Sequence, residues 1–138
     1  QGKSSYVILH QNTSAAIDSL VVCKFTNMGV AEEYFARTLT AVTGIPYATG
    51  DLVRVGERVY NLERLYNHRE GFTRAEDTLP PRMLSEAVAD GPSKGWVSRL
   101  DLMLDEYYRA RGWDAQGRPS PAKLAALQLE DLAEQVAA

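Results

Sequence analysis

The sequence predicts an all-α fold, an irregular bundle of five or six helices with one long Pro- and Gly-containing loop. Three observations carry that expectation. Apolar residues recur at steps of three and four along most of the chain, no segment after Phe25 alternates with period two over a useful length, and helix start and stop signals bracket the periodic stretches.

The first stretch, residues 6–25, is ambiguous by itself. Val7 to Leu9 fits a short strand, whereas Ala15, Ala16, Ile17 and Leu20 favour a helix, so the stretch reads as mostly helical. Residues 30–43 place Phe35, Leu39 and Val42 at i, i+4 and i+7, with Glu33 and Arg37 paired on the outer side. Gly44 is suited to the left-handed cap that ends this helix, and Pro46 cannot continue it. From about 51 to 72 the residues Leu52, Val55, Val59, Leu62 and Leu65 define the longest helix, which Gly71 stops. Gly56 inside it costs roughly 1 kcal/mol relative to Ala, a cost that the close approach of another backbone explains.

Residues 73–97 read as the long surface loop, because Pro80-Pro81, Asp90-Gly91-Pro92 and Gly95 interrupt every period and leave a helical turn or two around Met83 and Leu84. Ser98 with Asp101 resembles a capping box; beyond it Leu100, Met103, Leu104 and Tyr107 line one side, Asp105 can pair with Arg109, and Gly112 stops the helix. Ser120 as N-cap and Pro121 at the first helical position open a short helix through Leu124 and Leu127. Leu129, Leu132 and Val136 carry a last one.

A length of 138 residues suits one domain over residues 1–138, and 45% hydrophobic with 24% charged residues excludes disorder. No apolar run reaches the roughly 18 residues of a membrane span. Fifteen Lys and Arg against eighteen Asp and Glu, net −3, supply no drive toward nucleic acid or an anionic bilayer, so neither is an expected partner. The lone Cys23 excludes an internal disulfide and, without a secretory leader pattern, points to a reducing cytoplasm. The opening Gln1-Gly2-Lys3, which lacks an initiator Met, suggests a piece of a longer chain.

Motifs for most chemistries are missing: there is no Gly-rich phosphate loop, paired-His metal motif, nucleophile elbow or cysteine pair at metal spacing. His10 and His68 read as structural or solvent-facing. On local pattern Cys23 is a small buried apolar residue among Leu20, Val21, Val22 and Phe25, and Asp18 a surface carboxylate or an N-cap.

Four segments alter that reading. Asp18-Ser19-Leu20-Val21-Val22-Cys23-Lys24-Phe25, the run from Gly56 to Asn67 continuing through Arg69-Glu70-Gly71-Phe72-Thr73-Arg74, Asp77-Thr78-Leu79-Pro80, and Leu104-Asp105-Glu106-Tyr107-Tyr108 with Arg111-Gly112-Trp113-Asp114 closely resemble, in order and spacing, the C-terminal part of the tungsten-containing aldehyde ferredoxin oxidoreductases. In that family a tungsten ion is held by the dithiolenes of two pyranopterins beside a [4Fe-4S] cluster. The resemblance implies that Asp18 contacts a pterin, that Val22 adds a backbone contact to it, and that Cys23 is the last cluster ligand, a metal ligand in that sense. An ionised carboxylate is acceptor-only and suits the adjacent N–H donors of a pterin edge, and a cubane cluster is held by thiolates.

The family's other three cluster cysteines, its second pterin-binding Asp segment and its β-rich domain lie upstream of the matching region. The resemblance therefore implies an aldehyde-oxidising enzyme with ferredoxin as electron acceptor, of which this is the last helical domain. The isolated chain is expected to fold at least in part, to be catalytically inert, to hold no stable cofactor, and to associate with itself through an apolar surface around residues 20–25. Inside the family a benzoyl-CoA reductase is the alternative; outside it, a stand-alone helical interaction module. The 60–67 run reads mainly as a packed helix with buried polar partners, with a substrate-channel role for Tyr66 or His68 as the lesser reading.

Overall fold

A computed structural model describes residues 2–137, with side chains as far as Glu134. It contains α1 (Lys3–Ser19), α2 (Glu32–Thr43), α3 (Thr49–Arg69), α4 (Pro81–Ser85), α5 (Leu100–Arg111), α6 (Pro121–Leu127) and α7 (Glu130–Ala137), with 3-10 turns at Lys24–Met28 and Arg74–Glu76. Among the described residues no strand forms, and Trp113 and Pro119 meet in an isolated bridge. The all-α expectation holds, and α4 is the helical turn expected inside the long loop. No described helix is long and apolar enough to cross a membrane.

The longest helix, α3, is the axis on which α1, α2, α6 and α7 pack, and α1 also touches α5. Two apolar clusters hold this arrangement. Ala16 and Ile17 of α1 meet Phe35 and Ala36 of α2 and Leu52 of α3, with Leu20, Leu39 and Tyr47 against them. At the other end Leu65 of α3 meets Leu124, Leu127 and Leu129, with Ala133 alongside. The side chain of Val136, assigned to this last stripe, lies outside the described residues.

Gly56 has the reason its sequence position implied. A Cβ built there would lie 1.7 Å from the carbonyl oxygen of Asn12, so α1 and α3 touch backbone to backbone at that point. The caps also follow the sequence. Gly44 and Gly112 both adopt left-handed φ of 72°, the Ser120 hydroxyl accepts from the Lys123 amide at 3.2 Å with Pro121 at the first turn, and Asp51 accepts from the Ala48 amide at 2.7 Å.

Three local expectations fail. Val42 is 79% exposed because α2 buries the narrower set Phe35, Ala36 and Leu39. Ser98 does not cap α5: its amide donates to the Met83 carbonyl at 3.1 Å, which ties the loop to α4, and the helix begins at Leu100 without a side-chain cap. Asp105 pairs with Arg74 at 2.7 Å rather than with Arg109, since Arg74 approaches from the 3-10 turn after α3. The buried face of α5 is accordingly rotated to Tyr108 and Arg111, away from Met103.

Candidate functional site

The last turn of α1 and the loop that follows it carry the three residues singled out by the sequence. The loop's start is fixed by Leu20, whose side chain packs on the α1–α2–α3 core and whose amide donates to the Ile17 carbonyl at 3.0 Å. Val21 then takes φ of 57°, a left-handed conformation in which a β-branched side chain is strained. Its amide donates back to the Asp18 carbonyl at 3.0 Å, and its side chain is 93% exposed. Cys23 follows with φ −58° and ψ 122°, and its carbonyl accepts from both the amide and the hydroxyl of Thr26, at 3.0 and 2.6 Å.

Asp18, Val22 and Cys23 are all exposed on this turn. Of the local-pattern readings, the buried apolar Cys23 and the N-cap Asp18 fail, since Cys23 is exposed and Asp18 sits in the last turn of α1, whereas Asp18 as a surface carboxylate holds. The Lys24 ammonium lies 3.7 Å from the Asp18 carboxylate with both side chains more than half exposed, a pair too weak to occupy the carboxylate. Phe25 is 78% exposed and Met28 similarly so, giving the turn an apolar border.

The residues present suit one pterin contact and one cluster ligand, and not a whole site. Among the described residues no three His, Cys, Asp or Glu side chains come close enough to hold a metal ion. A soft cluster wants several thiolates. The turn offers one thiol and one carboxylate, facing outward.

About ten ångströms back along α1, at the rise of 1.5 Å per residue, lies a second constellation. Arg111, at the end of α5, is 0% exposed. Its guanidinium donates from Nη1 to Asn12 Oδ1 at 2.6 Å, from Nη2 to Gln11 Oε1 at 2.8 Å and from Nε to the Tyr107 hydroxyl at 3.0 Å, while its carbon lies 4.3 Å from the ring centre of Tyr60. Gln11 is itself fixed, accepting from the Tyr107 hydroxyl and donating to the Tyr60 hydroxyl, both at 2.7 Å. Trp113 packs edge-on to Tyr107 and donates from its indole N–H to Asn61 at 2.8 Å. Burial, and then the neighbouring Tyr107, pushes the Tyr60 hydroxyl well above the ordinary tyrosine range.

Beside it, Arg64 of α3 grips Asp77 with two bonds, at 2.9 and 2.6 Å, and donates from Nε to the Gly117 carbonyl at 2.8 Å. The Tyr108 hydroxyl also donates to Asp77. Burial, followed by that bond to a carboxylate, pushes Tyr108 up to about 12. Gly117 has φ of 77°, and a Cβ there would sit 2.3 Å from Arg64 Nη2. An open cleft of about 1700 Å³ lies between α1, α3 and α5, with Tyr60, Tyr107, Tyr108 and Trp113 in its lining.

Sequence reasoning did not single out Gln11, Asn12, Asp77, Tyr108 or Arg111 as individuals. The signal was present in the family segments: the runs 56–67, 77–80 and 104–114 contain most of this network. The expectation of buried polar partners in 60–67 holds for Asn61 and Arg64. Tyr66 is exposed, and His68 has a buried Nε2 without a hydrogen-bond partner. Neither borders the large cleft.

Fold and turn together define an all-α chain with one thiol and one carboxylate exposed at the end of α1 and just beyond it. Comparison with known proteins gives the family. Its model for aldehyde ferredoxin oxidoreductase, domains 2 and 3, matches residues 1–129. The chain is 42% identical over 130 residues to the tungsten-containing aldehyde ferredoxin oxidoreductase of Pyrococcus horikoshii, covering 94% of this chain and 21% of that one. To the enzyme of the same name from Thermococcus kodakarensis it is 43% identical over 117 residues, covering 84% and 19%. This chain therefore belongs to the aldehyde ferredoxin oxidoreductase family, and it spans about a fifth of the length of these relatives. A solved active-site complex of benzoyl coenzyme A reductase with 1,5-dienoyl-CoA shares the fold, with a TM-score of 0.60 and 24% identity over 77% of this chain and 15% of that one.

Proposed function

We propose that this chain is the part of a tungsten-dependent oxidoreductase that supplies one pterin contact and one ligand to a [4Fe-4S] cluster, in an enzyme that oxidises aldehydes to carboxylates and passes the electrons to ferredoxin. The observation that carries this reading is the 18–23 turn: an exposed carboxylate and an exposed thiol on either side of a strained left-handed Val21, in a member of this family. When bound, the tungsten–pterin group serves as a two-electron acceptor and the cluster as a one-electron carrier.

The chain's own residues bind and orient. The Asp18 carboxylate can accept a charge-assisted pair of hydrogen bonds from adjacent N–H groups, which fixes the plane of the ligand as well as its position. The Val22 backbone adds a contact on the same side. Cys23 binds as thiolate, stabilised by the iron it meets. The Leu20 anchor and the two Thr26 bonds to the Cys23 carbonyl hold these groups before the ligand arrives, so little ordering remains to oppose binding.

Aldehyde-dependent viologen reduction by the whole enzyme tests the reading. Cys23→Ser is expected to remove the cluster's EPR signal and the activity, and Asp18→Asn to lower pterin content while the cluster forms. Turnover of an aromatic thioester with none of any aldehyde, or a full cluster in Cys23→Ser, would reject it. Full pterin content in Asp18→Asn would remove the role given to that carboxylate.

A further inference from the structure

Apolar contacts decide which face of a helix is buried, but they are non-directional and tolerate sliding along the axis. The seat of Ala16 and Ile17 on Phe35 and Leu52 is of this kind. Directional contacts fix α1 along its axis: at its start the Gly2 amide and the Ser4 hydroxyl donate to Glu106 of α5 at 2.8 and 2.9 Å, and nearest the 18–23 turn there is a pair of contacts at residues 11 and 12. On one side the Asn12 carbonyl abuts Gly56, where even a methyl group would collide. On the other, the planar fork of Arg111 holds Asn12 Oδ1 and Gln11 Oε1 at 2.6 and 2.8 Å, with no carboxylate in an ion pair with it among the described residues. The same guanidinium is stacked on Tyr60 of α3 and tied to Tyr107 of α5, so three helices are referenced to one rigid group.

We infer that Arg111 is a positioning residue for the 18–23 turn: by clamping Gln11 and Asn12 it sets the axial register of α1, and with it where Asp18, Val22 and Cys23 are presented. From Asn12 to Ser19 the helix is a continuous rod of about 10 Å, and the turn follows it at once. A shift of α1 is transmitted whole. The strained Val21 adds to this, because a left-handed β-branched residue persists only where its surroundings over-determine it. The value of this placement rests on the cofactor reading above; the clamp itself does not.

NMR of the 138-residue chain separates the two. Arg111→Lys keeps the charge and loses the fork, and it is expected to shift the amide resonances of residues 18–23 and to speed exchange of the Leu20 and Val21 amides about tenfold. Gln11→Leu, at a half-buried position, removes one acceptor and should move the same amides less, which keeps the test available if the first variant does not fold. Ser120→Ala, which weakens the distant α6 cap, should leave them in place. Perturbations confined to residues 8–13 and 107–113 in the folded Arg111 or Gln11 variants would overturn the inference. In the whole enzyme, Arg111→Lys should change the cluster's g values and midpoint potential at unchanged iron content; unchanged g values and potential despite a displaced turn would overturn the functional half. Failure of the cofactor reading has a different signature, a displaced turn together with a cluster indifferent to Cys23→Ser.

Discussion

At the scale of single residues, backbone conformation and burial make opposite demands at Val21 and in the tyrosine cluster. Val21 pays for a left-handed φ that glycine adopts freely, roughly 1–2 kcal/mol, and its side chain recovers nothing because it lies in solvent. Val21→Gly removes that strain but frees the unfolded chain by roughly 0.4–1 kcal/mol. The net expectation is a stabilisation of about 0.5–1 kcal/mol, read from the urea midpoint at unchanged slope; a loss of stability would show that the turn is not strained. The tyrosines set the alkaline limit. Tyr108 is pushed up to about 12 and Tyr60 is also raised, so between the unfolded value near 10 and the folded values the native state binds more protons than the unfolded one. Stability is therefore fully present below about pH 10 and is lost as pH rises through the folded values. Absorbance at 295 nm, compared with Tyr60→Phe and Tyr108→Phe, should show these two hydroxyls ionising together with the loss of helical circular dichroism, and their ionisation in the still-folded chain would contradict the assignment.

At the scale of elements, the sequence was legible where apolar period and cap chemistry decide the outcome. Phe35 and Leu39 in α2, Leu52 and Leu65 in α3, Gly44, Gly112 and the Ser120-Pro121 start all do what their spacing implies. It was not legible in α5, where the face turned inward carries Tyr108 and Arg111 and a hydrophobicity count therefore selects Met103 instead. Nor does period reveal pairs such as Arg64–Asp77, whose members are thirteen residues apart and belong to different elements. The candidate turn was legible through resemblance, and its local pattern misled, because Val21, Val22 and Phe25 look like core and lie on the surface. The Arg64–Asp77 clasp supports a prediction of its own. Asp77→Asn leaves a buried guanidinium without its anion and withdraws the acceptor used by Tyr108, at a cost of about 3 kcal/mol. The loss should be accompanied by faster amide exchange over residues 73–80, the segment the clasp pins to α3; uniform destabilisation without that local signature would assign the clasp no role in holding the loop.

At the scale of the whole molecule, two apolar clusters joined by a satisfied polar network order the helical chain, whereas the surface around the 18–23 turn is left apolar and exposed. Val21, Phe25 and Met28 stand in solvent beside the only thiol, and Met83, Trp96 and Leu102 are further exposed apolar side chains, on α4, the following loop and α5. Such surface favours association, and a ligand that binds the folded state would add stability in proportion to its concentration over its dissociation constant. One thiolate and one carboxylate cannot supply that affinity for a cluster that needs several thiolates, so the 138-residue chain is expected to fold, to self-associate with rising concentration, and to take up no stoichiometric cluster. Anaerobic reconstitution followed by iron, sulfide and tungsten analysis, with sedimentation to fix the oligomeric state, measures this directly. Sub-stoichiometric, labile iron that disappears in Cys23→Ser fits a single donated ligand. A stable cluster on the monomer that survives Cys23→Ser would mean that residues outside the turn ligate it, and both the assignment of Cys23 and the division of the site between this chain and the rest of an enzyme would have to be given up.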